Sequence, residues 1–92
     1  MWVTLPVTLT AVATQISTLT TQCRQIFVQN NSAAVCRLGD ANVSATRGIQ
    51  LAAAGAVNSI WTTGPSVAYA SQLSDLWLFG TSGDIIDVFY QT

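Results

Sequence analysis

The chain has 92 residues, of which 50% are hydrophobic and only 8% are charged, and its formal net charge is −1. A chain of this length forms one domain with one core, burying roughly 60% of the surface that its unfolded form exposes. Soluble domains usually contain about 25% charged residues. The surface is therefore unusually neutral, and three arginines among four aspartates offer no basic patch for a nucleic acid.

The low charge has a second implication, because copies of a neutral chain pack together with little repulsion and little desolvation cost. We take this as a sign of permanent assembly. The longest apolar run, Leu51 to Val57, is too short to cross a membrane, and residues 1–6 lack the pattern of a secretory signal. We therefore expect no membrane partner, and assembly in a cytoplasm.

Residues that carry catalysis are scarce. Histidine is absent, so no Ser-His-Asp or Cys-His arrangement exists and the commonest metal ligand is missing. Asp84 and Asp87 are three positions apart beside one strand, which points their side chains to opposite faces. The sequence predicts no enzyme, no cofactor, no metal site and no small-molecule substrate.

The first predicted strand begins the chain. Apolar and polar residues alternate from Val3 to Ala11, so the odd positions should face a core. Pro6 cannot donate a ladder hydrogen bond. We expect the strand proper to start near Val7, and residues 1–5 to be either an edge strand or an arm that reaches a neighbour.

A second strand is predicted over Gln22 to Gln29, with Ile26 and Val28 on the core face. Asparagine tolerates left-handed backbone, so Asn30–Ser32 should form a hairpin turn into a third strand, Ala33 to Leu38.

That hairpin would bring the two cysteines, Cys23 and Cys36, close together. In one register they face each other and a disulfide is geometrically possible, whereas a shift of one residue separates them onto opposite faces. For a protein assembled in a cytoplasm, two reduced and buried thiols are favoured.

Shorter strands follow in the middle of the chain. We predict one over Val43 to Thr46 and another over Ile49 to Leu51, whose partner would be Ala56 to Trp61. The alanine run between these partners is too short for a stable helix. A loop is predicted over Thr62 to Ser66.

The C-terminal region has the strongest strand pattern. Leu76 to Phe79 and Ile85 to Tyr90 flank a turn over 80–84, which predicts a terminal hairpin. Both strands are apolar on both faces, so we expect one face to pack on the core and the other on a neighbouring subunit. The whole chain, 1–92, is predicted to be one all-β domain of seven or eight short antiparallel strands, forming a small β-sandwich or jelly-roll-like barrel.

The order of short motifs resembles small tailed-bacteriophage virion proteins of the capsid decoration, or cement, type. The motifs are VTLT followed by TQI (7–16), QNNS (29–32), RLGD (37–40), TRGIQL (46–51) and a final GTSGD turn between LWLF and IIDV (76–88). The resemblance implies a β-sandwich or jelly roll that forms homotrimers on the outer surface of the phage head. There it would bridge major capsid protein subunits and stabilise the shell.

Large apolar residues at the N-terminus and in the last strands are the candidates for contacts between subunits or with the capsid. They are Trp2, Val3, Leu5, Trp61, Trp77, Phe79 and Phe89. Two alternatives stay open: a receptor- or glycan-binding module of a phage fibre or tail, in which aromatic rings including Tyr69 stack on sugars, and a tail or connector structural component. Large aromatics in so small a domain more often fill a core or an interface.

Overall fold

A computed structural model describes residues 1–18, 20, 22–54, 59–62 and 71–92, without the side chains of Trp61 and Ser71. These residues form short strands and a single 3-10 turn at Leu73–Asp75, and every strand pair is antiparallel, which confirms the all-β prediction. The strands are β1 (Trp2–Thr8), β2 (Thr14–Gln15), β3 (Gln22–Cys23), β4 (Gln25–Asn30), β5 (Cys36–Gly39), β6 (Ile49–Leu51), β7 (Ile60–Thr62), β8 (Ser71–Gln72), β9 (Trp77–Phe79) and β10 (Ile85–Gln91).

The strands pair in a nested series, like a long hairpin folded at its middle. β1 pairs with β10, β2 with β9, β3 with β8, β4 with β7, and β5 with β6. Two further pairings, β10 with β4 and β9 with β5, assemble sheet A in the order β1-β10-β4-β7 and sheet B in the order β2-β9-β5-β6. Among the described residues neither sheet closes into a barrel.

One buried cluster contains side chains from both sheets. In β4 and β10 every second residue is buried and the residues between are more exposed, because successive side chains of a strand point to opposite faces. The predicted core residues Ile26 and Val28 are fully buried, which confirms their assignment to the core face. Sheet A also contributes Val7, Ile86 and Val88 to the cluster, and sheet B contributes Cys36, Leu38, Leu51 and Leu78.

The first strand begins at Trp2 instead of near Val7 and lies at the edge of sheet A. Its odd residues face inward as predicted. Of the two alternatives for residues 1–5, the structure has the edge strand, because Trp2 to Thr8 pair with β10 over their whole length. An edge tolerates Pro6.

Both predicted hairpins are wrong. β4 pairs with β10 and β7, whereas β5, which begins at Cys36 and not at Ala33, belongs to sheet B. Residues 31–35 therefore pass from one sheet to the other. Likewise β9 lies in sheet B and β10 in sheet A, so the turn at 80–84 also changes sheets. Turn-forming residues show where a chain changes direction, but not which strands pair afterwards.

Three smaller predictions also change. The predicted strand Gln22 to Gln29 is interrupted at Arg24, and only its second part joins sheet A. Residues 43–46 form no strand: Ser44 and Arg47 exchange backbone hydrogen bonds in a tight turn.

The predicted partner of Ile49–Leu51 is also wrong, because β6 pairs with β5. Trp61 instead pairs with Val28 of β4. Residues 55–58, and the predicted loop from 63 onward, lie outside the described residues.

Candidate interaction surface

The outward side of sheet A carries three aromatic rings, which we call the aromatic face: Trp2 from β1, Phe89 from β10 and Phe27 from β4. The strand register places all three on the side opposite the core. Trp2 and Phe89 stack with ring centroids 4.7 Å apart and planes 11° apart. Phe27 lies 6.3 Å from Trp2 and 6.4 Å from Phe89. Such ring pairs contribute about 0.5–1.5 kcal/mol beyond the area they bury.

The aromatic face is open to solvent. Trp2 is 43% and Phe89 40% exposed, and two aliphatic side chains of the same sheet, Ile60 and Ile85, are more than half exposed. A monomeric protein seldom leaves large apolar side chains grouped on one surface, and such groups mark sites of contact with other molecules.

Charge is nearly absent from this surface. By register, the other outward positions of sheet A hold threonine, glutamine, proline and one ionisable residue, Asp87. The Asp87 carboxylate accepts a hydrogen bond of 2.5 Å from the side-chain amide of Asn31. A partner of the aromatic face would therefore have few charges to desolvate, which lowers the cost of binding.

The sequence-predicted contact residues fall into separate places. Trp2 and Phe89 lie on the aromatic face, as described. Val3 and Leu5 point to the other side of β1, where they are partly buried against the core. The Trp61 side chain lies outside the described residues.

Trp77 and Phe79 lie on sheet B and are half-buried. Trp77 stands opposite Gly39 and Phe79 opposite Arg37, on the side away from the buried Leu78. These two rings therefore cannot form one surface with the aromatic face, since the core separates the two sheets.

Phe27 was missed by sequence reasoning. The signal was present in the sequence, because Ile26 and Val28 were assigned to the core face and a strand alternates. Phe27 must then point away from the core. What the sequence lacked was the pairing of β4 with β10, which sets Phe27 beside Phe89.

Both cysteines are buried and neither forms a disulfide. The hairpin expected to bring them together does not exist, since Cys23 lies on β3 and Cys36 on β5 of sheet B. Burial and, to a smaller extent, the charge of Asp84 together raise the pKa of Cys36 to about 11. Burial also raises the pKa of Cys23. Because the thiolate is the reactive form, both thiols are poor nucleophiles at neutral pH.

A shallow cleft of about 320 Å³ lies on sheet B, lined by residues that include Arg37, Gln50, Phe79 and Thr81. The Arg37 guanidinium is largely committed to the protein itself. Its Nε donates to the Ala45 carbonyl and one Nη to the Gly48 carbonyl, both at 3.0 Å. These bonds tie the 45–48 turn to β5, which is a structural role.

Among the described residues, no group of three or more acidic, cysteine or histidine side chains could hold a metal ion. Within the same part of the chain, no helix has the length and apolar character needed to span a bilayer. Comparison with known proteins identifies no matching family model, no similar curated protein and no similar solved structure.

Proposed function

We propose that the chain is a structural virion protein with a jelly-roll β-sandwich fold, acting as a phage capsid decoration protein. The nested strand pairing supports the fold. If β3 and β8, which pair only with each other, are set aside, the remaining eight strands, renumbered 1 to 8 in chain order, read 1-8-3-6 in sheet A and 2-7-4-5 in sheet B. That order is the one of a jelly roll, a fold common in viral capsid proteins.

The observation that carries the functional proposal is the aromatic face. Trp2, Phe27 and Phe89 stand on a hydrogen-bonded sheet, so their positions are set before any partner arrives, and little ordering entropy opposes binding. The surrounding side chains are neutral. Such a surface suits a permanent contact with another protein, here the major capsid protein, better than contact with a charged polymer.

The size of the outward side of sheet A favours binding by several copies together, as in the expected homotrimer, over binding by one copy. Four strands about 4.8 Å apart and at most seven residues long, at about 3.4 Å per residue, make a face of roughly 450 Å². A stable interface buries about 800 Å² on each partner, so one copy would bind weakly, whereas three copies together present roughly 1,350 Å². In the proposed mechanism, many such contacts bridge neighbouring capsid subunits and resist internal DNA pressure.

A glycan-binding module of a fibre or tail is the second candidate, since exposed rings can stack on sugars. The stacking of Trp2 on Phe89 at 4.7 Å argues against it, because each ring covers one of the two flat faces of the other and so halves the ring area that could stack on a sugar. The arrangement therefore favours a protein partner.

The test mixes the purified protein with expanded phage capsids that lack their decoration protein, and measures bound copies and the temperature at which the capsids break. We expect saturable binding and a higher breakage temperature. The double variant Trp2→Ala/Phe89→Ala should lose at least tenfold in affinity. Ile49→Ala, which removes an exposed aliphatic side chain from β6 of sheet B, should bind normally.

Absence of binding and of heat protection would contradict the proposal. If the free protein instead bound host cells or a neutral polysaccharide through the same two rings, the glycan-binding alternative would replace it.

A further inference from the structure

Strand β1 is the longest exposed sheet edge in the described part of the chain. It has seven residues, whereas the other edge strands of sheets A and B, β7, β2 and β6, have three, two and three, and the separate pair β3 and β8 has two residues in each strand. Proteins usually protect long edges with charged side chains, because an open edge pairs readily with another chain. β1 contains no charged residue, and Pro6 is its only feature that hinders pairing.

The hydrogen bonds next to β1 show which of its backbone groups face the open edge. The Leu9 amide donates to the Asp84 carbonyl, and the Thr92 amide donates to the Met1 carbonyl. In an antiparallel ladder bonded residues alternate, so the odd residues of β1 bond to β10. The N–H and C=O groups of the even residues therefore point to the open edge.

This alternation explains why Pro6 is tolerated. Pro6 is an even residue, so its missing N–H would have pointed away from β10 and the ladder inside sheet A loses no bond. All even residues of β1 are exposed. Trp2 and Thr4 therefore retain complete donor and acceptor pairs at the edge, ahead of the proline.

We propose that β1 pairs with β1 of a second copy of this chain, antiparallel, about a twofold axis at Val3. Bonded pairs must join even residues to even residues, and the Pro6 ring occupies the space that a partner carbonyl would need. The longest pairing that leaves Pro6 outside the ladder sets Trp2 of each copy against Thr4 of the other. It forms four N–H···O=C bonds.

The side chains agree with this register. Val3 meets Val3 of the other copy, and Met1 lies beside Leu5 of the other copy, all on the core side of β1. Met1 is 83% exposed, and Val3 and Leu5 are only partly buried. The pairing covers these apolar side chains and brings no charged side chain of either β1 strand into the contact, so dimer formation gains apolar burial with little desolvation of charge. The Met1 ammonium group donates to the Thr92 carbonyl, on the β10 side of the strand.

The proposed dimer goes beyond the capsid contact and does not depend on it. Residues opposite each other in paired strands point to the same side, so the twofold axis runs perpendicular to sheet A. The two aromatic faces then form one continuous surface. On a virion, such pairing would join copies of neighbouring trimers, with both faces directed at the same support.

Sedimentation equilibrium up to millimolar protein tests the pairing. We expect the wild-type mass to double with concentration, and Thr4→Pro to remain monomeric. Thr4 is an even residue, so its N–H is not needed by β10 and the variant should fold. Thr8→Pro is the matched control: it makes the same change on the same strand outside the paired segment, and should dimerise like the wild type.

A second measurement does not depend on proline variants. Val3→Cys should form a disulfide between copies on mild oxidation, since two residues facing each other across a non-bonded pair are close enough to bridge. Leu5→Cys should not, because Leu5 faces Met1. Wild-type protein that stays monomeric throughout, or equal crosslinking of both cysteine variants, would overturn the proposed pairing. Neither result would bear on capsid binding by the aromatic face.

Discussion

Asn30, at the end of β4, forms a buried network of hydrogen bonds. It is a fully buried polar side chain, and its amide donates to the carbonyls of Ala34, Leu51 and Ala52 at 2.9–3.2 Å. Its Oδ1 accepts from the Ser32 amide and hydroxyl. The residue thus holds together the end of β4, the crossing to sheet B and the end of β6. In the sequence it was only a turn former.

Replacing Asn30 by alanine should destabilise the fold by about 3 kcal/mol, because the buried Leu51 carbonyl and the partly buried carbonyls of Ala34 and Ala52 lose the amide group that they share as donor. Urea unfolding followed by tryptophan fluorescence measures the loss. Asn31→Ala, which removes only the bond to Asp87, should cost less than about 1 kcal/mol. Equal effects of the two changes would show that the buried network contributes little.

Cys36 should give the stability of the protein a dependence on alkaline pH. Burial, and then the charge of Asp84, raise the pKa of its thiol from 9.0 to about 11. A proton held more tightly in the folded state stabilises the fold fully below the unfolded pKa. The contribution is lost as pH rises through the folded value.

We therefore expect the free energy of unfolding to fall between about pH 9 and 11. Urea titrations at a series of pH values test this. The decline should be shallower in Cys36→Ala, although that variant is less stable at neutral pH because it leaves a small cavity. A wild type and variant with parallel pH profiles would contradict the assignment.

At the scale of elements, the connection from β5 to β6 shows how a strand finds its partner. The chain turns over residues 40–48, Asp40 Oδ1 accepts from the Asn42 amide, and Arg37 binds the carbonyls of Ala45 and Gly48. Gly48 has a φ of 118°, a backbone conformation that side chains disfavour. The turn thereby reverses the chain, so that Ile49–Leu51 pairs antiparallel with β5.

A Gly48→Ala change should cost more than Gly83→Ala, although both glycines have positive φ. A Cβ at Gly48 would lie 2.8 Å from the Leu38 carbonyl oxygen, whereas a Cβ at Gly83 meets nothing within 4 Å. We expect losses of about 2–3 and about 1 kcal/mol, respectively. Thermal unfolding of the two variants compares them, and a reversed order would contradict the proposed contact.

At the scale of the whole molecule, the two ends of the chain meet. The Thr92 amide donates to the Met1 carbonyl at 2.9 Å, and β1 and β10 pair along seven residues. This pairing is the outermost of the nested series. It closes the longest loop of the chain, so it has the largest entropic cost of formation.

Because the first and last residues are hydrogen-bonded to each other, a circular permutant that joins them should fold. We expect a chain with Met1 and Thr92 joined by a short Gly/Ser linker, and opened in the exposed turn between Asp40 and Ala41, to keep the circular dichroism spectrum and cooperative unfolding of the parent. Opening the chain between Val28 and Gln29, inside β4, serves as the control and should prevent folding. If the first permutant did not fold, the pairing of β1 with β10 would require the native order of the strands along the chain.

The sequence by itself determined the strand character, the inward and outward phases of β1 and β4, and the absence of histidine. These features are local: a branched side chain, an alternation or an absent histidine acts within a few positions. The pairing of strands was decided only by the tertiary structure. Equivalent turn signals at 30–32 and 80–84 lead into strands of the other sheet, because burying one face of each sheet on the other outweighs the closing of the nearest hairpin. The aromatic face depends on that choice, since Phe27 and Phe89 become neighbours only when β4 pairs with β10.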